Sequence, residues 1–157
     1  MKPNIGISQE HLAEISQVLS HILADEFVLY TKTCNAHWNL EGSNFHATHV
    51  LFKSQYTEIA DIIDTVAERI RTLGHYAPGT LKQFLALTHL SEQIRGKNDS
   101  NGFMKELLSD HEAIIINIRT QINRLAEKLK DAGTGDYLTG LTEYHEKVAW
   151  ILRSHLI

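Results

Sequence analysis

Apolar side chains recur at three- and four-residue steps through most of this chain, the period of a helix with one buried face. Leu12, Ile15, Leu19, Ile22, Leu23, Phe27 and Tyr30 carry the first run, and Ser8 followed by Gln9 and Glu10 supplies its start. The spacing predicts a helix from there to about Ala36. Asn39 to Asn44, with Gly42 and Ser43, reads as a connection. A second helix from about Phe45 to Leu73 turns Val50, Phe52, Ile59, Ile62, Ile63, Val66 and Ile70 to its apolar side and stops at Gly74. The stretch from His75 to Gly96 is too long for a bare loop in a compact domain. Within it, Thr80 to Leu87 fits a short extra helix after the Pro78-Gly79 turn. Asn98 to Gly102 is a polar break in which Asp99 or Ser100 can cap the next helix. That third helix is expected over about Asn101 to Asp131, interrupted by Gly133 and Gly135, and a fourth from about Asp136 to the end. The expected fold is all-α: a four-helix bundle with a short extra helix in the long connection between the second and third helices. It forms a single domain over 1–157, with residues 1–7 as a short irregular leader.

Composition narrows the class. Hydrophobic residues make up 43% and charged residues 22%, ordinary values for a soluble globular protein. No apolar run approaches the roughly 18 residues that span a bilayer. The first residues, MKPNIGISQE, lack an apolar signal segment, so the expected location is the cytoplasm. One cysteine, Cys34, excludes an internal disulfide framework and suits a reducing compartment. The formal net charge of −4 provides no general attraction to nucleic acid. Ten histidines are more than this length leads one to expect.

The histidines and carboxylates around the second helix are spaced in a way one chain cannot satisfy. His37 precedes the glycine-containing connection, His49 lies near the start of the helix, and Asp64 and Glu68 lie near its end. Asp64 and Glu68 stand four apart, so their carboxylates project from one helix face. His49 and Asp64 are 15 residues apart, which on an unbroken helix is roughly 22 Å. One ion cannot touch both. Two copies of the helix running antiparallel across a two-fold axis near Tyr56 bring His49 of one chain opposite Asp64 of the other, and a C2 interface generates two such sites. A ferritin-like bundle that binds two irons within one subunit uses Glu-x-x-His pairs on two helices, and this chain has none.

His37-Trp38-Asn39, Gly42, Phe45, His49 and the Ile63 to Arg69 block resemble the Dps family of miniferritins, as do Thr134, Asp136, Leu138 and the His145 to Trp150 segment. The resemblance runs from about Leu12 to the end of the chain. It implies a ferritin-like bundle assembled into a hollow twelve-subunit homo-oligomer of two-fold dimers. It also implies a ferroxidase activity that oxidises ferrous iron, preferably with hydrogen peroxide, and stores ferric mineral, protecting the cell against oxidative stress. By position, His37 and His49 resemble the histidine ligands from one subunit. Asp64 and Glu68 resemble the carboxylate ligands from its two-fold mate, with Glu68 bridging two irons. Imidazole and carboxylate are both iron ligands. The plain alternative is a salt-bridged Asp64/Glu68/Arg69 surface with two capping histidines. Trp38 resembles a tryptophan that takes up oxidising equivalents beside the site; an aromatic helix-end plug is the competing reading.

One position departs from the family. Most members place Asp or Glu four residues after the second histidine, and this chain has Lys53. An ammonium offers no lone pair and repels a second cation, so the His49 site is expected to be weakened; alternatively Lys53 pairs with Glu68 or Asp64. Cys34 reads as a small buried apolar residue. His46 lies one turn from His49. His11, His21, His75, His89, His111, His145 and His155 read as surface or helix-end residues. Glu127, Asp131 and Asp136 form an acidic corner, which in the resembling family lines cation pores. Residues 1–10 carry one lysine, Lys2, so DNA binding is expected to be weak or absent. The remaining alternatives are a nucleoid-associated shell that compacts DNA, or a storage cage with little oxidation.

Overall fold

The computed structural model describes residues 2–157. It consists of α1 (Gln9–Asn39), α2 (Phe45–Thr72), α3 (Leu81–Leu87), α4 (Ser100–Asn123) and α5 (Ala132–Ser154), with a π-helical turn, Arg124–Lys128, between the last two. The expected all-α bundle is what forms. Helix α1 packs along α2, α4 packs along α5, and α3 lies across α1 in the long connection. Contacts at Tyr30–Tyr56 and His37–His49 show that α1 and α2 run antiparallel.

The helix starts follow from side chains that take up otherwise orphaned backbone N–H groups. Ser8 accepts from the amide of His11, Thr80 forms a reciprocal capping box with Gln83, and Asp99 accepts from Gly102. Helix α2 ends at Gly74, whose φ of +87° is left-handed, and a Cβ there would stand 2.5 Å from the ring of Pro3. One shared core runs through the bundle, with Leu12, Leu19, Phe52, Ile59, Ile70, Ile114 and Leu138 among its fully buried members. No helix of the described residues is long and apolar enough to cross a membrane.

Several boundaries differ from expectation. Helix α1 continues to Asn39, which places His37 and Trp38 in its last turn. Helix α5 begins at Ala132, before Asp136, because the Asp131 carboxylate accepts from the Thr134 amide at 2.9 Å and starts the helix there. Gly133 and Gly135 therefore sit in its first turn. Gly135 is buried where a Cβ would meet the Ile122 carbonyl oxygen at 3.4 Å. The α-helical part of the third long helix ends at Asn123, and Lys130, at φ +61°, closes the π-helical turn toward α5.

Candidate metal centre

His37 closes α1 and His49 opens α2, and the short connection folds one ring onto the other. Their centroids are 3.7 Å apart with planes 20° from parallel. His37 Nδ1–H donates to the His49 carbonyl at 2.8 Å, and His49 Nδ1–H donates to the His37 carbonyl at 2.9 Å. A carbonyl only accepts, so each Nδ1 carries a proton, and in the neutral ring the lone pair is left on Nε2. This is how metal-binding histidines are usually oriented, by a second hydrogen bond on the far ring nitrogen. Phe45 stacks on His49 at 5.0 Å, and Tyr56 meets His37 edge-on at 5.2 Å. His37 is buried and His49 half-buried. The connection is also anchored from outside, since the Glu41 amide donates to the Asn98 carbonyl at 2.9 Å.

Asp64 and Glu68 lie on the exposed side of α2, toward its other end, and have no hydrogen-bond or ion-pair partner among the described residues. Helix α2 is unbroken from Phe45 to Thr72, so the roughly 22 Å between His49 and Asp64 stands. No group of three His, Cys, Asp or Glu among the described residues is placed to hold an ion within one chain. The salt-bridged alternative does not form: Arg69 turns away to Thr134 Oγ1, at 2.9 and 3.0 Å, and to Asp131. Lys53 is exposed and pairs with neither Asp64 nor Glu68 within the chain. Trp38 is 70% exposed, so within the chain it plugs nothing. His46 is exposed and forms no hydrogen bond or ring stack with the pair among the described residues. Cys34 is buried, and burial pushes its thiol pKa up, so it is a protonated thiol. Of the acidic corner, Glu127 and Asp136 are exposed, but Asp131 is buried as the α5 cap and partner of Arg69.

The surface reading of His111 and His145 is wrong. Both are fully buried in the bundle interior, as is Glu26. His145 Nε2 lies 2.7 Å from Glu26 Oε1, and His145 Nδ1 lies 2.8 Å from His111 Nδ1. The His145 ring therefore stands between the other two groups, so the three form a line and do not converge on a point. Glu26 Oε2, His111 Nε2 and the Tyr144 hydroxyl have no partner. Burial, with the charge of His145 second, pushes the His111 pKa well below the usual imidazole range, so that ring is neutral. Burial likewise raises the Tyr144 hydroxyl. The signal was in the register: Glu26 falls on the Ile22/Leu23 stripe, His111 on the Leu107/Ile114 stripe and His145 on the Leu141/Val148 stripe.

Comparison with known proteins agrees with this architecture. The ferritin-like domain model matches residues 16–157. A protein named DNA protection during starvation protein 2, from Bacillus anthracis, is 33% identical over 91% of this chain and 97% of its own length. The chain belongs to the Dps family of ferritin-like proteins. An uncharacterised low temperature-induced protein of Nostoc sp. is 39% identical, covering 98% of this chain and 86% of that one. The crystal structure of a Vibrio cholerae Dps protein superposes with a TM-score of 0.92 at 26% identity, over 99% of this chain and 97% of that one. That protein is described as a member of a broad superfamily of ferritin-like diiron-carboxylate proteins. The Dps-type bundle thus carries the stacked histidines at one end of α2 and the free carboxylates at the other.

Proposed function

We propose that this Dps-family chain binds ferrous iron between two-fold related copies, oxidises it with hydrogen peroxide and stores the ferric product inside a homo-oligomeric cytoplasmic shell of twelve chains. The observation that carries this reading is the stacked His37/His49 pair, each ring anchored through Nδ1 with its Nε2 turned away from that bond, and no third donor beside it among the described residues. Asp64 and Glu68, unpartnered and exposed, are the donors a second copy brings. The donor set of neutral imidazole and ionised carboxylate suits iron and stabilises the ferric state. Exposed Trp38, Phe45, Val50, Leu81 and Leu85 supply apolar surface that a second copy would cover.

Iron here is substrate. The balanced step is 2 Fe²⁺ + H₂O₂ + 2 H₂O → 2 FeO(OH) + 4 H⁺, in which peroxide takes two electrons and each ferrous ion gives one. His37 and His49 are oriented through their carbonyl bonds, and Asp64 and Glu68 supply the negative charge that favours Fe³⁺. Lys53, one turn from His49, weakens the second iron position. Exposed Trp38, beside His37, is placed to give up an electron when only one iron is bound. With a net charge of −4, the chain has no general attraction for phosphate, and DNA compaction is not part of this reading.

Subunit complementation tests the sharing. Shells of His37→Ala/His49→Ala chains and shells of Asp64→Asn/Glu68→Gln chains are each expected to lose peroxide-driven oxidation in stopped-flow absorbance. Shells reassembled from an equal mixture regain about one quarter of the wild-type sites, because half the two-fold pairs are mixed and each rebuilds one site of two. Mixed shells as inactive as either parent would end the proposal.

A further inference from the structure

A second histidine pair lies on the other side of α1. His21 is on that helix and His89 is in the segment after α3, and their ring centroids are 5.1 Å apart with planes 36° from parallel. His21 Nδ1 is 2.7 Å from the Leu87 carbonyl oxygen, which only accepts, so Nδ1 holds the proton. His89 Nδ1 is 3.1 Å from Asp25 Oδ2. Asp25 is buried, and its other oxygen accepts from the Thr88 hydroxyl at 2.7 Å and the His89 amide at 2.6 Å. The carboxylate is held as an acceptor, so His89 Nδ1 donates to it. In their neutral forms both rings therefore keep the lone pair on Nε2, each backed by a carbonyl or carboxylate on the opposite nitrogen. Both also line one cavity of about 230 Å³, with Asn117, Gln121 and the ion-paired Glu14 and Arg124 at its walls.

We propose that His21 and His89 form a metal site separate from the iron centre, binding a borderline divalent cation, Zn²⁺ or Cu²⁺, through their Nε2 atoms. Two imidazoles on one tetrahedral ion, each at about 2.0–2.1 Å, have ring centroids roughly 5 Å apart, the separation found here. Nitrogen donors without a carboxylate ligand favour copper and zinc over iron. Asp25 orients His89 through Nδ1 but stays out of the coordination sphere. With two protein ligands the ion keeps water in its remaining positions and exchanges. His21 precedes His37 by 16 residues on one helix, roughly 24 Å, so neither pair reaches the other's ion.

The test uses the assembled protein in the His37→Ala/His49→Ala background, where the iron centre is silenced, titrated with Cu²⁺ and followed by electron paramagnetic resonance. One Cu²⁺ per chain with hyperfine coupling to two imidazole nitrogens is expected. His21→Gln or His89→Gln removes it, and Asp25→Asn weakens it 10–100-fold while keeping the same signal. Copper uptake that is indifferent to His21 and His89, or a signal without nitrogen coupling, overturns the site. Since Asp25→Asn or His21→Gln can disturb folding, a second measurement uses unaltered protein: Zn²⁺ is expected to protect His89 from carbethoxylation by diethyl pyrocarbonate, read by peptide mass. Equal modification with and without Zn²⁺ also overturns it. Neither readout depends on iron oxidation, so this site and the iron centre succeed or fail separately.

Discussion

Replacing His145 with leucine separates two accounts of the buried Glu26–His145–His111 line. All three groups are fully buried, and His145 is in contact with both others, at 2.7 and 2.8 Å. Glu26 Oε2 has no partner even in the intact protein. In His145→Leu the Glu26 carboxylate loses its remaining contact while staying out of water, and His111 Nδ1 loses its own. Removing one member of a buried ionic or hydrogen-bonded set costs about 3–5 kcal/mol, because an uncompensated polar group stays behind. At about 2–4 °C per kcal/mol for a chain of this size, the melting temperature should fall by roughly 6–20 °C. The triple variant Glu26→Leu/His111→Leu/His145→Leu removes the stranded groups as well and should recover at least half of that loss. Thermal unfolding by circular dichroism at one fixed protein concentration measures both, since assembly makes the midpoint concentration-dependent. A His145→Leu cost under about 1 kcal/mol would show that the line is not a coupled network. A triple variant less stable than the single one would show that the polar line itself, not its satisfaction, holds the bundle.

The charges set two further outcomes. Lys53→Asp should raise the number of tight ferrous ions per chain toward two, by exchanging an ammonium for a ligand beside His49; an unchanged isothermal titration stoichiometry would refute the role given to Lys53. Because burial holds His111 neutral below the ordinary value of 6.5, the unfolded chain takes up a proton that the folded one refuses, so stability is complete above pH 6.5 and falls as pH drops below it. One such proton costs about 1.4 kcal/mol between pH 7 and 5.5, and urea midpoints at the two pH values should differ less in His111→Leu than in the wild type.

The bundle was legible because burial imposes a period and the chain obeys it: each long helix shows its stripe, and Ser8, Thr80, Asp99 and Gly74 mark boundaries by known backbone chemistry. What escaped was set by tertiary contact. Gly133 and Gly135 look like breakers, yet Asp131 caps the helix in front of them and both lie within its first turn. The π-helical turn has no period of its own to detect. His111 and His145 sat in apolar register, but their residue type suggested the surface. At the candidate centre, the spacing put His49 and Asp64 too far apart to share an ion within one chain, and the unbroken α2 keeps them so. The carbonyl bonds that fix both ring tautomers were not readable, since they depend on how the connection at Gly42 returns the chain. The His21–His89 pair spans 68 residues and depends on the long connection folding back onto α1.

The arrangement of polar groups also bears on the proposed iron handling and on the dependence on assembly that the proposal carries. The bundle interior holds a carboxylate and two imidazoles, ligand types for iron, but His145 is interposed between the others and uses both of its nitrogens on them. An ion there would have to displace both hydrogen bonds before finding two donors. At the outer surface of α2 the situation reverses: the imidazole lone pairs are free and oriented, the carboxylates are free and exposed, and the missing element is a second helix. An ion bound across two chains then favours the paired state by the factor by which pairing favours the ion, since the two equilibria are linked. Ferrous iron would stabilise the two-fold contact, and weakening that contact at Val50 or Leu85 would lower iron affinity without touching a ligand.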